Sequence, residues 1–253
     1  MTDSPSPTSA PLHAQRDRAD SFGSVAVAYD RYRPRYPDDV LDAVAALAGG
    51  GRVLDVGAGT GLLAEALVSR GLDVLGVEPD AEMAGVARAK GLTVEEATAE
   101  SWDPAGRRFA LATFANSWHW VDVDVVLPTM REILGRDGHL VLLWHATAPS
   151  GPSKDRIDAA YAASEMPGVV GPSATPSISD QLHLASWDLV DHTASSERHL
   201  TAEEWLDTAF TFSNHIVLDP VVAERLRADL TEAIGPDGLT VTAYTYWIDA
   251  WPA

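Results

Sequence analysis

The chain of 253 residues contains no cysteine. Disulfides, thiol nucleophiles and zinc–thiolate sites are therefore excluded, which suits a reducing compartment. Basic residues are scarce, 18 Lys and Arg against 37 Asp and Glu, for a formal net charge of −19. So acidic a chain repels a phosphate backbone, and no nucleic-acid partner is expected. No apolar run reaches the length of a membrane span, and Met1 to Ala10, rich in Ser, Pro and Thr, lacks the apolar stretch of a secretory signal. The expectation is a cytoplasmic protein with no membrane partner, in which residues 1–20 form a disordered tail and 21–253 a single domain.

What is present is organised around Val53-Leu54-Asp55-Val56-Gly57-Ala58-Gly59-Thr60-Gly61. Val53, Leu54 and Val56 have the apolar, β-branched character of a strand buried on both faces, and Leu62 to Val68 reads as the helix that follows. Glycines at 57, 59 and 61 allow positive φ in a tight turn and let the backbone approach a ligand. A dinucleotide fingerprint, G-x-G-x-x-G, would place its third glycine at position 62. That position is Leu62, so an oxidoreductase is disfavoured.

Upstream, Phe22, Val25, Tyr29 and Tyr32 share one face of a helix ending before Pro34, and Arg31, Arg33 and Arg35 form a local positive cluster. The planar guanidinium fork suits a ligand carboxylate; a solvated helix end is the alternative. A helix from Asp38 carries Val40, Leu41, Val44 and Leu47 and closes at Gly49-Gly50-Gly51. Downstream, strands are expected at Leu72 to Val77, Leu92 to Glu96, Phe109 to Ala115 and Gly138 to Trp144. The intervening helices include one capped by Asp80 and one at Val123 to Leu134. This alternation gives an α/β fold, a doubly wound, mainly parallel sheet with helices on both faces. Residues 147–180, rich in Pro, Gly, Ser and Ala with a helix at 154–165, read as a mobile cover over the site. Trp187 to Leu200 and Leu239 to Trp251 read as two last strands, with helices from Thr201 and from Asp219 between them.

Glu78 ends the second strand about 20 residues past Gly57, where a carboxylate accepts hydrogen bonds from both hydroxyls of a ribose. Ala97 to Trp102 follows the third strand and Asn116-Ser117-Trp118-His119-Trp120 the fourth. His119, between two tryptophans at a strand end, is a candidate proton acceptor; a packed histidine is the alternative. Asp122 and Asp124 read as helix-start residues, and no metal site is expected. Trp102, Trp118, Trp120 and Trp144 suggest a partly aromatic acceptor pocket.

With the motif Asp55 to Gly61, with Glu78 and Ala99-Glu100-Ser101, and with two extra strands at the end, residues 21–251 resemble the class I S-adenosylmethionine-dependent methyltransferases. Tyr29-Asp30-Arg31-Tyr32-Arg33-Pro34 and Ser117-Trp118-His119-Trp120 are similar to segments of a bacterial small-molecule branch. The resemblance implies a seven-stranded sheet of order 3-2-1-4-5-7-6 with strand 7 antiparallel. It also implies S-adenosylmethionine as cofactor, bound by Arg33, Asp55, Gly57, Ala58, Gly59, Gly61, Glu78, Pro79, Thr98, Ala99, Glu100, Asn116 and Ser117. Arg33 would face the cofactor carboxylate, Asp55 its amino group, and Asn116 with Ser117 the route to the sulfonium; many members carry Asp or Asn where Thr98 stands.

The expected activity is methyl transfer to a small-molecule acceptor at a hydroxyl oxygen. His119 is then the first candidate base and Tyr29 and His145 the next. A basic protein substrate and a non-catalytic S-adenosylmethionine-binding module are the alternatives. The sequence leaves the acceptor and the oligomeric state open.

Overall fold

The computed structural model describes residues 21–164, 178–179, 182–183 and 185–253. The tail expected at 1–20 and the middle of the expected cover lie outside the described residues. The amino-terminal face begins with a 3-10 turn at Phe22–Val25, α1 (Ala26–Tyr32) and α2 (Asp38–Leu47). β1 (Val53–Val56), α3 (Leu62–Val68), β2 (Val74–Val77), α4 (Ala81–Ala89), β3 (Thr93–Glu95) and β4 (Leu111–Ala115) then alternate, followed by α5 (Val123–Leu134) and β5 (His139–Ser150). The remainder holds α6 (Lys154–Ala163), β6 (Trp187–Leu200), α7 (Ala202–Ala209), α8 (Ser213–Ile216), α9 (Pro220–Ile234) and β7 (Leu239–Pro252).

The seven strands form one sheet of order β3-β2-β1-β4-β5-β7-β6. β1 pairs in parallel with β2 and β4, β4 with β5, and β7 runs antiparallel to both β5 and β6. Side chains alternate across a strand. Leu54 and Val56 accordingly enter a core with Met130 and Ile133 of α5, while Val53 enters a second core with Val44 of α2 and Leu67 of α3. Burying each such leucine or valine contributes about 1.5–3 kcal/mol, and β1 has no exposed face to lose it to.

β5 does not stop at Trp144 as the composition suggests. It continues to Ser150, paired with β7 from Leu140↔Ala250 to Ser150↔Thr240. Its parallel partner ends at the Ala115↔Leu143 pair, so beyond that point β5 is an open edge where Pro149 is tolerated. Residues 147–150 therefore belong to the sheet. α6, the next described part of the expected cover, buries Ile157 and Tyr161 in a third core with Trp205, Leu226 and Leu230 from α7 and α9.

Candidate functional site

The carboxyl ends of β1, β2 and β4 meet at a cleft with about 750 Å3 of open space. Each glycine of the β1 turn has its own reason to be there. Gly57 (φ +67) brings the turn against the loop after β4: a Cβ would lie 2.5 Å from Cβ of Ser117. Gly59 (φ +58) meets nothing closer than the Met83 methyl at 3.4 Å and requires glycine for its backbone alone. Gly61 (φ +81) opens α3, and a Cβ there would strike Leu92 at 2.3 Å, so its role is helix packing and not ligand contact.

The amides of this turn are already committed. Gly57 and Ala58 donate to the Val77 carbonyl at 2.8 and 3.0 Å, and Gly61 to that of Ala58 at 2.8 Å. Gly59 donates to Oε2 of Glu78 at 2.7 Å, while Oε1 accepts from the Asp80 amide at 3.0 Å. A turn that cradles phosphate needs free amides pointing at the anion. Here the amides of Gly57, Ala58, Gly59 and Gly61 are spent within the protein, and the carboxylates of Glu78 and Glu100 line the cleft, a surface suited to hydroxyls and cations. Burial pushes the Glu78 carboxyl up to about 7, against the two amide bonds that favour its charged form.

Asp55, the first residue of the motif, is 1% exposed. Oδ1 accepts from the Thr113 hydroxyl at 2.7 Å, and Oδ2 has no hydrogen-bond partner. Burial pushes its pKa up to about 6, with the Thr113 bond and then the nearby Ala64 amide opposing. Of the remaining candidates, Pro79, Thr98, Ala99, Glu100, Asn116 and Ser117 line the cleft together with Gly57, Gly59 and Glu78. Arg33, Asp55, Ala58 and Gly61 are not among its lining residues. Several lining side chains are partly occupied. Thr98 Oγ1 lies 3.0 Å from Ser101 Oγ, Glu100 accepts from the Asp122 amide at 2.9 Å, and Ser117 Oγ donates to the Val56 carbonyl at 2.6 Å. Asn116, at φ +54, uses its amide group twice on the His145 backbone, accepting from N at 3.1 Å and donating to O at 3.3 Å.

The candidate bases separate. Tyr29 lines the cleft, whereas His119 and His145 are not among its lining residues. His119 sits in a 3-10 turn with its ring 5.0 Å from that of Trp120. His145 is 7% exposed, its Nδ1 2.8 Å from Thr245 Oγ1 and its ring 5.4 Å from that of Tyr36. The aromatic pocket needs correction too, since Trp120 alone of the four tryptophans lines the cleft. Trp118 packs edge-on against Phe114 in the core, Trp102 donates to Glu95 at 2.6 Å beneath Arg107, and Trp144 lies against Tyr246.

Cleft-lining residues the sequence did not single out for this site include Phe22, Met83 and Val121. Phe22 sets its ring edge-on to Tyr29 at 5.8 Å and to Trp120 at 6.3 Å across the cleft mouth. It is placed there because Gly23 rests on the Asp80 carboxylate, where a Cβ would approach to 2.5 Å, and Lys90 of α4 pairs with Asp30 of α1. Asp80 and Asp122 cap α4 and α5. Among the described residues no group of three or more His, Asp and Glu is placed to hold a metal ion.

Residues 29–210 match a family model described as a methyltransferase domain. The chain belongs to the class I S-adenosylmethionine-dependent methyltransferases. S-adenosylmethionine is their methyl donor and the cofactor here. This methyltransferase is 40% identical to an uncharacterized methyltransferase of Mycobacterium tuberculosis over 134 residues, 52% of this chain and 55% of that one. The match thus spans about half the length of that relative. Among solved structures, the YcgJ protein from Bacillus subtilis aligns at TM-score 0.54 with 18% identity, over 85% of this chain and 99% of that one. A Haemonchus contortus N-methyltransferase, solved with phosphomonomethylethanolamine and S-adenosylhomocysteine, aligns at 0.54 with 15% identity, over 98% of this chain and 62% of its own. Likenesses at this identity speak for the fold of the methyltransferase alone. The residues present fit the donor: a buried carboxylate oxygen on Asp55 without a partner, a Glu78 carboxylate held at the cleft, and a glycine turn that approaches without presenting amides.

Proposed function

We propose that this chain transfers the methyl group of S-adenosylmethionine to an oxygen of a small molecule. The observation that carries the reading is the Glu78 carboxylate, fixed by the Gly59 and Asp80 amides beside a turn whose own amides face inward. Glu78 would accept from the ribose hydroxyls, Thr98, Ala99 and Glu100 would flank the adenine, and the backbone of Gly57 to Gly59 would lie along the methionine portion. Asp55 would neutralise the amino group, directly or through water. When bound, the donor supplies an electrophilic methyl group; the chain's part is to align an oxygen in line with it and keep water out. Asn116 and Ser117 form the wall on the acceptor side, Tyr29 is the polar group of that wall, and Phe22 with Trp120 excludes solvent at the mouth.

A small acceptor suits a half-enclosed cleft with Phe22, Tyr29 and Trp120 in its lining. The net charge of −19 disfavours nucleic acid, and among the described residues no helix is long and apolar enough to cross a membrane. A cytoplasmic location is part of the same proposal. Incubating metabolite and protein fractions with methyl-labelled S-adenosylmethionine tests the reading. Label in small molecules is expected; label in protein bands alone would reassign the acceptor, and cofactor binding with no turnover on any fraction would make the chain a binding module.

A further inference from the structure

The wall beside the cleft contains a positive charge with no counter-ion among the described residues. Arg33, in the loop after α1, lays its guanidinium between the rings of Tyr29 at 4.6 Å and Phe212 at 4.7 Å and donates to the Thr211 carbonyl at 2.9 Å. Its Nε is buried without a hydrogen-bond partner. No carboxylate among the described residues forms an ion pair with it, in a chain with twice as many acids as bases. Tyr29 joins this charge to the cleft, lining the cleft and stacking on Arg33. Beside it Asn116 lines the cleft and holds the His145 backbone.

The neighbouring histidines register the same charge. The groups that act on His145 are Tyr36 and Thr245 by contact and Arg33 and Arg198 by charge. Burial and then those two arginines hold its pKa down at about 4. Burial, Arg33 and Arg227 do the same to His215, also to about 4. His145 is therefore neutral at pH 7 and a poor proton acceptor. It lies outside the cleft lining, as does His119, so neither histidine is placed to take a proton from an acceptor in the cleft.

We propose, resting on the methyl-transfer reading above, that the acceptor binds at the Tyr29 and Asn116 wall as an oxygen that is already ionised, a carboxylate or comparably acidic hydroxyl, with Arg33 as its counter-charge. Its oxygen forms the bond to the methyl carbon, the carbon–sulfur bond breaks, and that electron pair stays on sulfur. No proton has to be moved and no base is required. The acceptor class thereby narrows from hydroxyls in general to oxyacids, and aliphatic alcohols and amines fall outside it.

Two measurements test this. The first is an NMR titration of the His145 ring with S-adenosylhomocysteine bound, its binding established separately by calorimetry. The expected midpoint stays near 4 in the unmodified protein, rises by about one pH unit in Arg33→Gln, and stays low in the charge-preserving Arg33→Lys. If S-adenosylhomocysteine alone raises the midpoint as far as Arg33→Gln does, the cofactor carboxylate is the partner of Arg33 and the proposal is overturned. An unmoved midpoint in Arg33→Gln overturns it as well. The second is an acceptor panel with methyl-labelled donor, comprising carboxylic acids, acidic phenols, aliphatic alcohols and amines. Acids are expected to react, with Arg33→Gln lowering kcat/KM about tenfold while leaving S-adenosylhomocysteine affinity within about twofold. Alkali-labile label, released as methanol, identifies a carboxylate, and alkali-stable label an ionised hydroxyl. Alcohols or amines as the preferred acceptors overturn the inference while leaving methyl transfer intact. Failure of S-adenosylhomocysteine to bind would instead defeat the broader reading.

Discussion

Glu78 and Gly59 are tied together across the ends of β2 and β1, the Gly59 amide donating to Oε2 at 2.7 Å. One carboxylate thus shapes the glycine turn and faces the cleft at the same time. The second oxygen is fixed by the Asp80 amide, and Asp80 in turn caps α4 and supports Gly23 under Phe22. Cofactor affinity and the closure of the cleft mouth are therefore mechanically connected.

Replacing Glu78 by alanine should weaken S-adenosylhomocysteine binding by about 1–3 kcal/mol, because charged hydrogen bonds to the ribose are lost and the Gly59 amide is stranded. Isothermal calorimetry checks this, and an unchanged dissociation constant would remove Glu78 from the site.

The pH dependence of stability follows from the two raised carboxyls, Glu78 at about 7 against an ordinary 4.5 and Asp55 at about 6 against 3.8. Below about pH 3 both are protonated folded and unfolded, and their contribution to stability is complete. As pH rises from there to about 7 the unfolded chain releases these protons first, so the contribution declines. The difference in Tm between pH 5 and pH 8 should therefore shrink in Glu78→Gln. Ribose hydroxyls select the ionised carboxylate, so S-adenosylhomocysteine affinity should rise with pH up to about 7 in the unmodified protein and, in that variant, keep only the step from Asp55 near pH 6.

Gly57→Ala should cost more stability than Gly71→Ala, measured by chemical denaturation. Both adopt positive φ, +67 and +85, and each should lose about 1–2 kcal/mol from backbone strain. At Gly71 a Cβ meets nothing within 4 Å, whereas at Gly57 it collides with Ser117, which adds roughly 1–3 kcal/mol. Equal losses would show that the β1 and β4 loops are not in the contact described.

Asn116→Ala should destabilise by about 2 kcal/mol, since two hydrogen bonds to the His145 backbone disappear and alanine tolerates φ +54 poorly. Urea unfolding gives the loss, and a shift below about 0.5 kcal/mol would contradict the strand-end clasp.

The strands themselves and the cleft floor were legible in the sequence because their signals are local, whereas the order of the strands came from the family resemblance. Gly57, Gly59 and Glu78 announce themselves through spacing and through the strands that end at them. What escaped depends on partners far apart in the chain. Tyr36 is defined by Asn116 and His145, and His145 by Thr245 across the β5 and β7 register. The extension of β5 through Pro149 was hidden because turn-forming composition outvoted a pairing that only the last strand supplies. Trp102, Trp118 and Trp144 misled for a related reason: a tryptophan beside a strand end fills the core or faces the ligand according to which side of the sheet it falls on.

β7, which follows β6 in the chain, is threaded between β5 and β6. On a ribosome, which releases the chain from its amino-terminal end, β1 to β5 can assemble while β6 is held without a neighbour. The 14 residues of β6 are then an open ribbon edge until β7 arrives to bridge both sides at once. Synthesis and final closure are thus coupled, and stalling between residues 200 and 239 should expose β6 to chaperones or to strands of other nascent chains.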